Sequence, residues 1–160
     1  MSYDDNPFSH EDPERHALWE AHMRNDIDAF LRSDWDAVAK DFDADTFMAI
    51  DAAFDSDPQK WTIGFPSLSS YRDTWLKMSA ETLAKADPDK LRQAMFQGAN
   101  IVRIDFFENE TVLLHKRFDG QLPLRDGTQE PYGWQSVFTL RKICEQWKIV
   151  YFVGYMGSTL

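Results

Sequence analysis

Four side chains have the types and spacing to move a proton or hold an anion. His22 and Asp26 are four residues apart, one helical turn, so they are neighbours on one helix face. A neutral imidazole beside a carboxylate in an apolar cavity transfers protons near pH 7, the need of a dehydratase or isomerase. His115 and Arg117 are two apart in an extended stretch, so they share a strand face. A plainer reading competes. His22–Asp26 is then an exposed pair worth roughly a few tenths of a kcal/mol, and His115 lies on the sheet surface or in a dimer interface.

Other chemistries find less to work with. His10, His16, His22 and His115 show no zinc-ligand spacing, and Cys144 is alone. There is no glycine-rich phosphate loop and no Gly-x-Ser-x-Gly elbow. No metal or cofactor is expected.

The elements that must position these residues can be read from periodicity. Residues 1–12 are polar and acidic and read as a loose tail, with 13–160 as a single domain. Asp12 caps a helix starting at Pro13, whose stripe is Trp19, Met23, Ile27, Phe30 and Leu31. Asp34 caps a second helix, WDAVAKDF. Thr46–Ile50 is a short strand, and the stretch through Pro58, Gly64 and Pro66 is irregular. Ser69 or Ser70 opens a third helix with Tyr71, Trp75, Met78 and Leu83 on its apolar side, ended by Asp87-Pro88-Asp89. A strand is expected over Gln93–Phe107 with Gly98 as a bulge, then a turn at Glu108–Glu110 and a strand over Thr111–Phe118. After a loop, YGWQSVFTLRKICEQWKIVYFVGYM reads as two long strands about a turn near Glu145-Gln146. Helices first and four long antiparallel strands after them make an α+β plan.

Charge and composition narrow the partners. The formal net charge of −10 disfavours a nucleic-acid backbone or an anionic membrane. No apolar run of the length that spans a bilayer is present, and the start lacks the pattern of a signal peptide. With one cysteine no internal disulfide is possible, so a cytoplasmic setting is expected.

The plan resembles the nuclear transport factor 2-like fold, and within it the SnoaL-like (polyketide-cyclase-like) branch. DIDAFLRSDWDAVAKDFDADTFMAI, FPSLSSYRDTWLKM, FFENETVLLHKRFDG and WQSVFTLRKICEQWKIV carry the resemblance. It implies a curved sheet wrapped around helices, an apolar pocket in the cone, and frequent homodimers. It implies no single reaction. The steroid-isomerase positions of this fold fall on Asp26, near Ile50 and near Ser136, and none carries the required group. Arg117-Phe118-Asp119 is similar to the Arg-x-Asp strand motif of limonene-epoxide-hydrolase-like members, but their last aspartate would fall near Gly154, and the favoured reading is plainer, with Asp119-Gly120 closing a strand and Arg117 as a rim cation. That motif places Arg117, and with it His115, inside the cone. A looser likeness is to scytalone-dehydratase-like members, which use histidine and aspartate there.

The expected pocket is bounded by Trp19, His22, Met23 and Asp26 from the first helix, Trp75 from the third, and His115, Arg117, Trp134 and Phe138 from the sheet. His115 is the expected acid/base, Asp26 the orienting or second carboxylate, and Arg117 the cation for an oxyanion or ligand carboxylate. Two functions fit: a cofactor-free lyase or isomerase acting on a hydrophobic small molecule, or a non-catalytic binding module with the same pocket. A homodimer through the open sheet face is expected, since Val137, Ile143 and Val153 would otherwise be wet.

Overall fold

The computed structural model describes residues 1–108 and 110–157. Asp12 caps the first helix by accepting from the Arg15 amide at 3.2 Å, with Pro13 in the first turn, where its missing N–H costs nothing. The helical run then changes pitch twice. Pro13–Trp19 (α1) is α-helical, Glu20–Asn25 is a π-helical turn, and Asp26–Phe30 (α2) returns to α. Just ahead of the short α3 (Asp36–Ala39), Asp34 accepts from the Ala37 amide at 3.2 Å. Strand β1 (Met48–Asp51) follows. The stretch read as irregular holds a short 3-10 turn and a second strand, β2 (Thr62–Phe65).

Helix α4 (Leu68–Lys85) opens on a capping box between Ser67 and Ser70. Asp87-Pro88 stops it and at once starts another helix, α5 (Pro88–Gly98), with Asp87 as N-cap. The expected strand from Gln93 therefore begins six residues later. Leu91, Met95 and Phe96 recur at helical spacing and pack inward, and Gly98 ends the helix instead of bulging a strand.

Strands β3 (Ala99–Phe107), β4 (Thr111–Pro123), β5 (Gln129–Ile143) and β6 (Gln146–Met156) form an antiparallel meander. Of the turn joining β3 to β4, Asn109 lies outside the described residues. β6 continues into β1 by a parallel ladder, giving the order β2-β1-β6-β5-β4-β3 in a curved, unclosed sheet. Its register decides which side chains meet. On one face Val112, Leu114, Lys116 and Phe118 oppose Leu140, Phe138, Ser136 and Trp134. On the other, His115 opposes Val137 and Arg117 opposes Gln135. Val112, Leu114 and Leu140 have no exposed surface, so the first set faces the helices.

The core is aromatic. Trp35, Phe42, Phe47, Phe65, Tyr71, Trp75 and Phe152 interlock with ring centroids 5.0–6.0 Å apart, the range in which edge-on and tilted rings attract. A second cluster joins Trp19, Met23 and Ile27 to Phe96 and Ala99. Residues 1–12, expected as a loose tail, lie against these helices. Asp4 pairs with Arg92 at 2.8 Å and Arg24 at 3.4 Å, and the Phe8 carbonyl bonds His16 Nδ1 at 2.8 Å. Asp4 is thus a partner for arginines on two other elements, a role composition does not reveal.

Candidate functional site

Between the helices and the inner sheet face lies a cavity of about 400 Å³. Phe30, Trp75, Met78, Phe118, Trp134, Phe138 and Phe152 supply its apolar walls, and into them project His22, Asp26, Asp41, Lys116, Ser136 and Tyr155.

Lys116 is the unexpected member. It stands on the inner face of β4 between Leu114 and Phe118, and only 3% of it is exposed. Its ammonium donates to Asp26 Oδ2 at 2.8 Å and to the His22 carbonyl at 2.5 Å, and lies 4.8 Å from the Phe118 ring centre. A π turn widens the helix and loosens its hydrogen-bond ladder, and such turns concentrate at functional sites. Here the turn holding His22 presents a main-chain carbonyl to the lysine, so a buried cation gains two acceptors and a ring face.

His22 is buried, and its Nε2 has no hydrogen-bond partner among the described residues. Burial, and then the Lys116 charge, hold its pKa down at about 4 against the opposing pull of Asp26, so the imidazole is neutral at neutral pH. Asp41 shifts the other way. Burial raises it to about 6, although Lys40 and the Asn25 amide, 3.3 Å from Oδ2, favour its ionised form. Tyr71 and Tyr155 are both pushed up, first by burial, with the Asp26 charge adding to each.

Tyr155 enters the cavity because the end of β6 breaks alternation. Its φ is +56°, a left-handed conformation unusual outside glycine, and Gly154 and Tyr155 are buried in succession. Ala53 and Phe54 are left-handed as well, at +49° and +62°. Phe54 packs edge-on to Trp134 at the cavity rim.

Of the expected pocket residues, His22, Asp26, Trp75, Trp134 and Phe138 line the cavity. Trp19 and Met23 are buried behind it, against Phe96 and Ala99. His115 and Arg117 are on the opposite sheet face, contrary to the expected placement. His115 Nε2 sits 2.8 Å from Gln135 Oε1, and Arg117 pairs with Asp119 at 3.4 Å. The Arg-x-Asp match had the strand inverted. The signal for the true parity is in VLLHKRFD: Val112, Leu114 and Phe118 form the more apolar alternate set, and Lys116 belongs to it. Of the steroid-isomerase positions, Asp26 and Ser136 do line the cavity, while Ile50 does not, and its neighbour Asp51 accepts from the Ala53 amide. Among the described residues, no three His, Cys, Asp or Glu side chains are grouped to hold a metal.

No protein-family model matches the chain, and no curated protein matches it. Solved structures do. A nuclear transport factor 2-like protein of unknown function from Shewanella baltica is 15% identical, with a TM-score of 0.57 over 92% of this chain and 96% of that one. A putative calcium/calmodulin dependent protein kinase II association domain from Xanthomonas campestris is 10% identical, with a TM-score of 0.57 over 100% of this chain and 99% of the other. A ketosteroid isomerase-like protein from Erwinia carotovora atroseptica is 16% identical, with a TM-score of 0.51 over 86% and 92%. At these identities the likeness is one of backbone, and it agrees with the element order, the six-stranded curved sheet and the helix-covered inner face. The chain therefore has the nuclear transport factor 2-like fold.

Proposed function

We propose that the cavity binds a hydrophobic small molecule and moves a proton on it without a cofactor, as a lyase or isomerase of the SnoaL-like kind. One observation carries this: an ion pair, Lys116–Asp26, set in an aromatic cavity beside a neutral histidine with a free ring nitrogen. Asp26 is about one-third exposed, so its carboxylate is open to the cavity and is the base. Lys116 supplies positive charge where an enolate or alkoxide develops, and low-dielectric walls strengthen that interaction. His22, buried and neutral, places no second positive charge beside Lys116, and the protonated Asp26 itself returns the proton. The acid/base role first assigned to His115 passes to Asp26 and the cation role of Arg117 to Lys116, because polar groups must converge on one substrate atom.

The test is deuterium exchange at the carbon next to the carbonyl of cyclic ketones, followed by NMR. Wild-type protein is expected to accelerate exchange, and Asp26→Asn to lose about a hundredfold or more. An equal rate in the variant overturns the assignment.

A non-catalytic binding module is the second reading, favoured by the two hydrogen bonds that already engage Lys116 within the protein. Tight binding of a ketone without exchange would select it. No helix among the described residues is long and apolar enough to cross a membrane. With the lone Cys144, a cytoplasmic setting is part of the proposal. So is a homodimer through the outer sheet face, where Ile50, Leu113, Val137, Tyr151 and Val153 are half-buried. Sedimentation as a monomer at micromolar concentration would remove it.

A further inference from the structure

Three elements lead away from the Lys116–Asp26 pair in the same direction along one cavity. Lys116 faces Ser136 across the ladder. Tyr155 fixes the level of α4 at that point: its amide donates to Ser136 Oγ and its hydroxyl to Met78 Sδ, both at 3.4 Å. Outward from this level, Phe118 and Leu122 of β4 and Trp134, Tyr132 and Glu130 of β5 line the cavity. On the facing helix the lining continues through Thr82 to Lys85. Ser136 to Glu130 is about 20 Å of strand and Met78 to Lys85 about 11 Å of helix, room for a tail of about ten carbons at ordinary bond lengths. At the far end Lys85 and Glu130 meet at 2.7 Å, both side chains nearly half exposed, so the cavity reaches water there.

The walls change character along this path. Around the ion pair they are largely aromatic, with Phe30, Trp75, Phe138 and Phe152. Toward the water they become more aliphatic, with Met78, Thr82, Met95 and Leu122. Charge returns only at the boundary, in the Lys85–Glu130 pair and the exposed Glu81. The cavity of about 400 Å³ is therefore drawn out from a charged inner end to solvent. A compact ring ketone occupies the inner end and leaves the aliphatic stretch unfilled. An unbranched tail lies along all of it, and each methylene gains by leaving water. Methionine side chains are flexible enough to follow such a tail.

We propose that the substrate is a long-chain carbonyl compound, its carbonyl at Lys116–Asp26 and its unbranched hydrocarbon tail running beside α4 to the Lys85–Glu130 end. This rests on the cavity being the ketone site proposed above, and the experiment separates the two claims. Ligand-observed NMR titrations measure the affinity of cyclohexanone, 2-pentanone, 2-octanone and 2-undecanone for wild-type protein and for Thr82→Phe. The substitution narrows the path between the ion pair and the mouth. A tail as short as that of 2-pentanone stops before it, so 2-pentanone affinity reports whether the variant is folded.

Wild type is expected to bind about threefold more tightly per added methylene from 2-pentanone to 2-undecanone, the transfer of one CH2 less the loss of its rotation. Cyclohexanone should bind no better than 2-octanone. Thr82→Phe should keep 2-pentanone affinity and lose most of the gain of 2-undecanone. Independently of any variant, the terminal methyl of 2-undecanone on wild-type protein should show NOEs to the methyl groups of Thr82 and Leu122. Failure of every ketone to bind would overturn the cavity reading itself. Binding that does not strengthen with chain length, that strengthens equally in Thr82→Phe, or that leaves the terminal methyl beside Trp75 and Phe152 would overturn the tail path and leave the cavity standing.

Discussion

The two faces of β4 carry the same kinds of residue to opposite ends. Lys116 on the inner face is 3% exposed and is satisfied by Asp26, the His22 carbonyl and the Phe118 ring. Arg117, its neighbour, is 29% exposed on the outer face and reaches Asp119 only at 3.4 Å. A long apolar stem lets either cation sit in a sheet, so residue type does not distinguish them. Surroundings do. A charge among aromatic rings survives only if every partner is in place, and such a charge is strongly coupled to its neighbours. A charge at the water boundary is coupled weakly and can be lost at little cost.

The largest effect expected from this contrast is on Asp26. Asp26→Asn leaves the buried ammonium without its counter-charge, which should destabilise the fold by about 3 kcal/mol besides removing the base. Urea denaturation measures it. Lys116→Met should be much milder, because Asp26 is partly exposed and water can take over the solvation of its carboxylate. Equal losses in the two variants would mean that the inner pair behaves like a surface pair, and the contrast between the faces would fall.

The pH dependence sharpens the comparison within the inner site, where two groups act with opposite signs. His22 has its pKa held down at about 4, below the ordinary 6.5. The unfolded chain therefore binds more protons between those values, and the His22 contribution of up to about 3 kcal/mol is lost as pH falls through that window. Asp41 is raised from 3.8 to about 6. There the folded state binds more protons, so stability falls as pH rises from 3.8 to 6, by about 2 kcal/mol after allowing for partial exposure. The two slopes oppose each other between pH 4 and 6. Wild-type stability should be nearly flat across that range, Asp41→Asn should lose stability steeply on acidification, and His22→Gln should gain it. Thermal melts at half-unit steps from pH 4 to 7 read all three, and parallel curves would show that neither group is coupled to folding.

The smallest effect belongs to the outer face. His115→Ala removes one hydrogen bond to Gln135 at the sheet surface and should change stability by no more than about 0.5 kcal/mol. Ketone exchange should stay within about twofold of wild type. A large loss of turnover would return His115 to the mechanism and reverse the assignment of the two faces.

How much of this was legible depended on the kind of signal. The helix stripe Trp19–Met23–Ile27 and the alternation from Trp134 onward are repeats of a fixed period, and the structure has both elements where they were read. The Asp12 cap and the Asp34 acceptor ahead of α3 were legible because a side-chain acceptor next to free amides is a local event. The start of β3 differs from the reading because Asp87-Pro88 serves both as a stop for α4 and as a start for α5. His22 and Asp26 were found as neighbours by helical arithmetic. Lys116 was missed because a lysine next to a histidine and an arginine looks like one more member of a polar run.

The sequence by itself determined the α+β order, the helix-then-meander plan and the shared face of His22 and Asp26, because each rests on interactions within a few residues along the chain. Tertiary structure alone decided which alternate set of β4 faces the cavity. It also decided that a π turn brings the His22 carbonyl to Lys116 across 94 positions of sequence, and that Tyr155 bends inward at a left-handed strand end. Those outcomes depend on register and on the free energy of burying one charge with its partners. Both are set between segments that meet only when the sheet closes over the helices.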